Sequence, residues 1–126
     1  MSIDEIFQSF PKVETRNLVL RRLQDSDSDA LFKILADNEV TRYYDEASFT
    51  AVSQAGSQID AWENGYINKH CIRWRIARKS DGGIIGSCGY YGFHAWHMRA
   101  SIGYELARPF WRQGIMTETL DAILDL

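Results

Sequence analysis

This sequence is poor in cysteine, proline, histidine and basic charge, and each shortage removes a class of function. Two cysteines in 126 residues cannot build the disulfide framework of a small secreted domain. Cys71 and Cys88 both fall in apolar, strand-like runs, where buried free thiols are expected. Two prolines and nine glycines exclude a collagen-like or proline-rich chain. Lys and Arg number 14 against 17 Asp and Glu, a net charge of −3, whereas a general nucleic-acid binder is usually basic. No apolar run approaches the roughly 20 residues of a membrane span. The opening MSIDEIFQSF carries acidic residues and no long apolar core, unlike a signal peptide, so the cytoplasm is the expected compartment. His94-x-x-His97 and the two distant cysteines match no standard zinc spacing, and no metal is expected. A Ser-His-Asp order, a dinucleotide fingerprint and a Walker lysine are likewise missing.

What is present has the composition of one globular domain, 45% hydrophobic and 25% charged. Weak helical character around Ile3 to Phe7 stops before Pro11, and Leu18 to Leu23 reads as a first strand. Ser26-Asp27-Ser28-Asp29 resembles a capping box, after which Ala30, Leu31, Ile34 and Leu35 follow at helical spacing until Asp37-Asn38. Val40 to Phe49 is an aromatic connection with Tyr43 and Tyr44. A second helix is expected after Thr50, ending near Asn64-Gly65, with Val52, Ile59 and Trp62 facing inward and Gly56 weakening it. Ile72, Trp74 and Ile76 alternate with Arg73, Arg75 and Arg78 as in a half-buried strand. Ser80-Asp81-Gly82-Gly83 supplies a hairpin turn, Ile84 to Tyr91 the returning strand, and Arg99 to Leu106 a third strand after a loop through His94 and His97. Trp74, Tyr90, Tyr91 and Trp96 could line a substrate groove, although core packing explains most strand aromatics. The sum is an α+β layout.

Ser101 to Leu126 is the stretch that speaks to chemistry. Ile102 to Leu106 has strand character, and Ala107 to Gln113 is a turn with Pro109, two arginines and two aromatics. From Gly114, Met116, Leu120, Ile123 and Leu124 recur at helical spacing. A strand feeding a glycine turn and then a helix leaves unpaired N–H groups at the positive end of the helix dipole, a setting suited to phosphate. An ordinary strand-turn-helix corner would read the same from spacing alone. Arg108 and Arg112 lie close to this turn.

The wording of the stretch resembles motif A of the GNAT superfamily, the acyl-CoA-dependent N-acetyltransferases, whose signature is Q/R-x-x-G-x-G/A at a helix start. Ile102-Gly103-Tyr104, Pro109 and Trp111-Arg112-Gln113-Gly114-Ile115-Met116-Thr117-Glu118 are similar to the branch that acetylates ribosomal-protein N-termini, at alanine or serine. Glu14-Thr15-Arg16-Asn17-Leu18-Val19-Leu20-Arg21 resembles the opening of the same branch, about ninety residues upstream. Met116 stands where the signature has a small residue.

The resemblance implies a GNAT-like α+β fold over residues 1–126, a mostly antiparallel central sheet flanked by helices. It also implies acetyl transfer from acetyl-CoA, used as a cosubstrate, to a primary amine such as the N-terminus of a ribosomal protein. Backbone groups of Tyr104 to Leu106 would pair with pantetheine and supply oxyanion donors, and the amides from Arg112 through Gln113, Gly114, Ile115 and Met116 to Thr117 would hold the pyrophosphate. Alternation puts Ser101, Gly103 and Glu105 on one strand face. Glu105 is the carboxylate nearest the expected thioester and the candidate base, directly or through water; the other reading is an exposed strand glutamate. Many relatives carry an acidic residue in the place of Ser101. A free α-amine makes up about 10% of the total at pH 7, a free lysine amine only a few parts in ten thousand, so an N-terminal acceptor asks less of a base.

Family members continue after this helix with further strands and a helix. Here the helix is in its apolar rhythm at Leu126, with Asp121 and Asp125 where the helix dipole disfavours negative charge. We therefore expect one domain, incomplete at its C-terminus and lacking the closing strands. On that expectation the chain dimerises through an open strand edge, traps a neighbour's strand or is stabilised by crystal contacts, and as a monomer has low stability, weak acetyl-CoA binding and little or no transferase activity. A truncated CoA-binding or protein-interaction fragment without turnover is the alternative function.

Overall fold

The computed structural model describes residues 3–42, 47–94 and 99–126. The elements are α1 (Ile3–Gln8), β1 (Val13–Glu14), β2 (Leu18–Arg22), α2 (Ser28–Leu35), α3 (Asn38–Thr41) and α4 (Val52–Ile67), followed by β3 (Cys71–Arg78), β4 (Ile84–His94), β5 (Arg99–Leu106) and α5 (Ile115–Leu124). The strands form one antiparallel sheet in the order β1-β2-β3-β4-β5. Opposing partners such as Leu20 with Ile76, and Trp74 with Cys88, line up apolar side chains on one face. Leu18, Leu20, Ile72, Trp74 and Ile76 join Ile6 and Ile123 there in the main core. Each such buried side chain contributes about 1.5–3 kcal/mol. A second cluster of Leu23, Leu31, Leu35, Ala55 and Ile59 holds α2 against α4.

The half-buried strand expected at β3 is covered on both faces. Arg75 is only 4% exposed because the α2–α4 layer lies over it, and it pairs with Asp27, which is itself buried. Nε and Nη2 of Arg75 are buried without a hydrogen-bond partner among the described residues. Cys88 is buried as expected and its thiol is pushed up to about 12 by burial, while Cys71 is only partly buried.

Helix boundaries shift for local reasons. The expected Ser26 to Asp29 box is displaced: Asp25–Asp27 forms a tight 3-10 turn, closed by Gln24 N–H donating to Asp27 Oδ2 at 2.8 Å. Asp37 does end α2's run, yet it also begins α3 by accepting from the Glu39 N–H at 2.9 Å. The helix α4 runs to Ile67, beyond Asn64-Gly65, and buries Ala55, Ile59 and Tyr66, whereas Val52 is 44% exposed. In α5 the inner face is Ile115, Met116, Leu120 and Ile123; Leu124, expected on that face, is 60% exposed. The hairpin turn has Gly82 at φ 70°, as its glycine pair suggested. Tyr43, Tyr44, Trp96 and His97 lie outside the described residues.

Candidate functional site

β5 leads into the turn that the sequence marks. Ala107 N–H still donates to Ile85 O at 2.8 Å, and Arg108–Phe110 then forms one 3-10 turn with Pro109 in its first positions. Two side chains fold the loop back on itself. Trp111 Nε1 donates to Leu106 O at 2.7 Å and Gln113 Nε2 to Pro109 O at 2.6 Å. Arg112 at φ 62° and Gly114 at φ 76° both adopt left-handed backbone, which turns the chain sharply into α5. The first bond returning within the helix runs from Glu118 N–H to Gly114 O at 3.0 Å. The amides of Ile115, Met116 and Thr117 therefore have no acceptor inside the helix and stand at its positive pole.

The ground in front of this turn is open, since a Cβ built on Gly114 would meet nothing within 4 Å. Arg112, Gln113, Gly114 and Thr117 are exposed, while Ile115 and Met116 pack partly on the core. Of the two arginines, Arg108 is held by Asp37, Nε to Oδ2 2.6 Å, leaving Arg112 as the cation facing solvent at the turn. Free amides, a glycine with space before it and a solvent-facing arginine fit the pyrophosphate of a CoA ester. On β5 itself, Leu106 is buried in the core and Tyr104 is 40% exposed. Only β4 pairs with β5 among the described residues, and on the other edge the Leu106 carbonyl accepts from Trp111 Nε1.

On the opposite strand face, Gly103 and Glu105 line a cleft of about 410 Å³ between α4 and the β3–β5 part of the sheet. Glu105 is not the exposed strand glutamate of the alternative reading: it is 5% exposed. Arg73 Nη2 forms an ion pair with its carboxylate, and the Ser87 hydroxyl donates to the other oxygen. Arg73 Nε also donates to Ser87 Oγ at 2.9 Å, closing a triangle. The cross-strand register explains it, because Ser87 lies opposite Glu105 on β5 and Arg75 on β3. Ser101 is exposed toward the far end of β5, opposite Tyr91, four positions from Glu105. Cys71 also lines the cleft; burial raises its thiol, which makes it a poor nucleophile.

Arg73 and Ser87 escape a reading by motif. The only signals are an arginine in an alternating strand and a small polar residue inside the run Ile84-Ile85-Gly86-Ser87-Cys88. A third missed residue is Glu118, in the first turns of α5. Its carboxylate accepts from the Thr15 hydroxyl, from Asn17 N–H at 3.1 Å and from Asn17 Nδ2 at 2.9 Å. The two stretches that carry the family resemblance are thus joined to each other. Among the described residues no group of three or more His, Cys, Asp or Glu side chains could hold a metal. No described helix is long and apolar enough to cross a membrane.

Comparison with known proteins identifies the family and the fold. Residues 17–126 match the model of the acetyltransferase (GNAT) domain. An uncharacterized N-acetyltransferase, YoaA of Bacillus subtilis (strain 168), is 36% identical over 115 residues, which cover 91% of this chain and 65% of YoaA. The chain thus spans about two-thirds the length of that relative. Among solved structures, RimL, a ribosomal L7/L12 alpha-N-protein acetyltransferase, superposes with a TM-score of 0.79 at 19% identity, over 91% of this chain and 63% of RimL. RimL in complex with coenzyme A gives 0.76 at 18% identity, over 91% and 66%. The α+β layout expected from the sequence is therefore the GNAT fold, and this chain belongs to the GNAT acetyltransferase family.

Proposed function

We propose that this chain carries the cofactor cradle and catalytic carboxylate of an N-acetyltransferase that moves acetyl from acetyl-CoA to a primary amine, in the cytoplasm, with a protein N-terminus as acceptor. The observation that carries the reading is that one strand serves both ends of the chemistry. β5 bears Glu105 at the cleft and then turns through the left-handed Gly114 into the free amides of α5.

The amides of Gly114, Ile115, Met116 and Thr117, with Arg112 and Gln113, would hold the pyrophosphate, and backbone groups of Tyr104 to Leu106 would pair with the pantetheine amides. Acetyl-CoA supplies an acetyl group activated as a thioester. The residues of the chain do the rest. Glu105, held by Arg73 and Ser87, orients the amine and takes its proton directly or through water as the C–N bond forms and the C–S bond breaks; the departing sulfur takes up a proton from solvent. An α-amine is partly free at neutral pH and a lysine amine is not, so an N-terminal acceptor asks less of the base. The likeness to a ribosomal-protein N-terminal acetyltransferase supports the same choice.

Thiol release from acetyl-CoA over a panel of amines tests the reading. Release should depend on peptides with free N-termini, and kcat/KM should rise with pH through the α-amine range near 7.7–8.0. Release that is independent of any amine would overturn it.

A further inference from the structure

The proton-accepting carboxylate has a neighbour whose hydrogen-bonding capacity is not spent. Arg73 uses Nη2 on Glu105 and Nε on Ser87. Its guanidinium carbon also lies 4.6 Å from the centre of the Trp62 ring, a cation–π contact that fixes its plane against α4. Nη1 is the third nitrogen, and it lies over Gly103: a Cβ added there would be 2.9 Å from Nη1 and 3.4 Å from the Tyr91 ring. Gly103, Tyr91, Trp62 and Glu105 all line the same cleft as Arg73. Nη1 is not among the buried donors lacking a partner, a condition met only by Nε and Nη2 of Arg75. It makes no described hydrogen bond, so its N–H groups are open to the cleft.

We propose that Arg73 Nη1 selects the acceptor by reading an oxygen close to the reacting amine, such as the first carbonyl of a peptide. The proposal rests on the acetyl-transfer reading above and adds to it the residue that selects the amine. An acceptor of the form amine–carbon–carbonyl meets both charges of the pair at once. Its nitrogen faces the Glu105 carboxylate and its carbonyl oxygen takes the free N–H of Arg73. An amine without that oxygen strips water from Nη1 and returns nothing, leaving a charged donor unpaired in the cleft. A polyamine does worse, because it brings further cations toward Arg73, and Glu105 is the one carboxylate among the described residues lining the cleft. The aromatic walls, Trp62 and Tyr91, suit an apolar or small first side chain. Gly103 keeps the space beside Nη1 clear.

The test compares acceptors within one protein. Wild type is assayed with acetyl-CoA and a dipeptide amide, with the matched amine in which the first carbonyl is replaced by methylene, and with spermidine. We expect kcat/KM, expressed per unprotonated amine so that the higher pKa of the matched amine drops out, to favour the dipeptide amide over the matched amine by 10-fold or more, equivalent to about 1.4 kcal/mol, with spermidine lowest. Arg73→Lys, which keeps a positive charge beside Glu105 but loses the planar fork, should collapse the ratio between the first two acceptors toward unity. Taking the ratio within one variant cancels any change in Glu105 itself. Equal kcat/KM for the two acceptors in wild type, or an unchanged ratio in a folded Arg73→Lys protein, overturns the proposal. Absence of turnover with every amine overturns the transferase reading instead. In that case calorimetry of the dipeptide amide and the matched amine decides the selection on its own, and equal binding removes it.

Discussion

Replacing Glu118 by glutamine probes how the turn into α5 is fastened to the rest of the molecule. The carboxylate accepts from the Thr15 hydroxyl and from two nitrogens of Asn17, locking the first turns of α5 to the tight turn between β1 and β2. That turn is itself closed by Leu18 N–H donating to Thr15 Oγ1 at 3.0 Å and Thr15 N–H donating to Leu18 O at 3.0 Å. Hydrogen bonds to a charged acceptor contribute about 1.5–3 kcal/mol each. The Asn17 bonds are exposed, so water replaces much of what the variant loses, and the net cost should be about 1–3 kcal/mol. Glutamine keeps the size and one acceptor but loses the charge. The pH dependence follows from the same contacts. Burial raises the Glu118 pKa, the bonds from Thr15 and Asn17 lower it more, and it ends below the ordinary value of 4.5. A carboxyl whose pKa is depressed by folding stabilises the protein above its unfolded pKa, and that stabilisation is lost as pH falls through the folded value. Urea unfolding should therefore show a gap between wild type and Glu118→Gln that is full at pH 7 and closes below about pH 4.5. A gap under about 0.5 kcal/mol at pH 7, typical of an unimportant surface change, or one that stays constant into acid, would refute the latch.

Two further substitutions address the chemistry. Gly114→Val should cost roughly 1–2 kcal/mol in stability, because φ 76° is left-handed, and should weaken CoA binding 10-fold or more, about 1.4 kcal/mol; equal calorimetric affinity in a folded variant would remove the cofactor assignment. Arg112→Glu should act in the same direction, with a steeper dependence on salt. Glu105→Gln should lower kcat by about 10²–10⁴-fold at neutral pH, with the loss shrinking as pH frees more of the amine. An unchanged pH–rate profile would leave Glu105 only its partnership with Arg73.

The strands and the turn into α5 were legible because their signals are local. Alternation in Ile72, Trp74 and Ile76, the glycine pair at Gly82-Gly83 and the run from Trp111 to Glu118 each depend on neighbours in sequence. The interior of the cleft was not legible, since it depends on cross-strand register. Ser87 meets Glu105 only because β4 and β5 pair at that offset, and Arg73 reaches both from β3. Periodicity also misjudged the arginines of β3, because it cannot tell a solvated strand face from one roofed by helices. Arg75 is buried by α2 and α4, which end 40 and eight residues before it in sequence. Leu124 was misplaced for a simpler reason: four apolar positions in α5 span more than one face, and Ile123 takes the inner one.

The central claim is that acetyl-CoA held at the Gly114 turn delivers its acetyl group to an α-amine beside Glu105. Its most direct test is tandem mass spectrometry of a peptide with both a free N-terminus and an internal lysine, incubated with the protein and acetyl-CoA at neutral pH. The account predicts one acetyl group per peptide, on the N-terminal nitrogen, in an amount that grows with protein concentration. Acetylation of the lysine side chain in preference, or a yield no greater than acetyl-CoA alone produces, would contradict it.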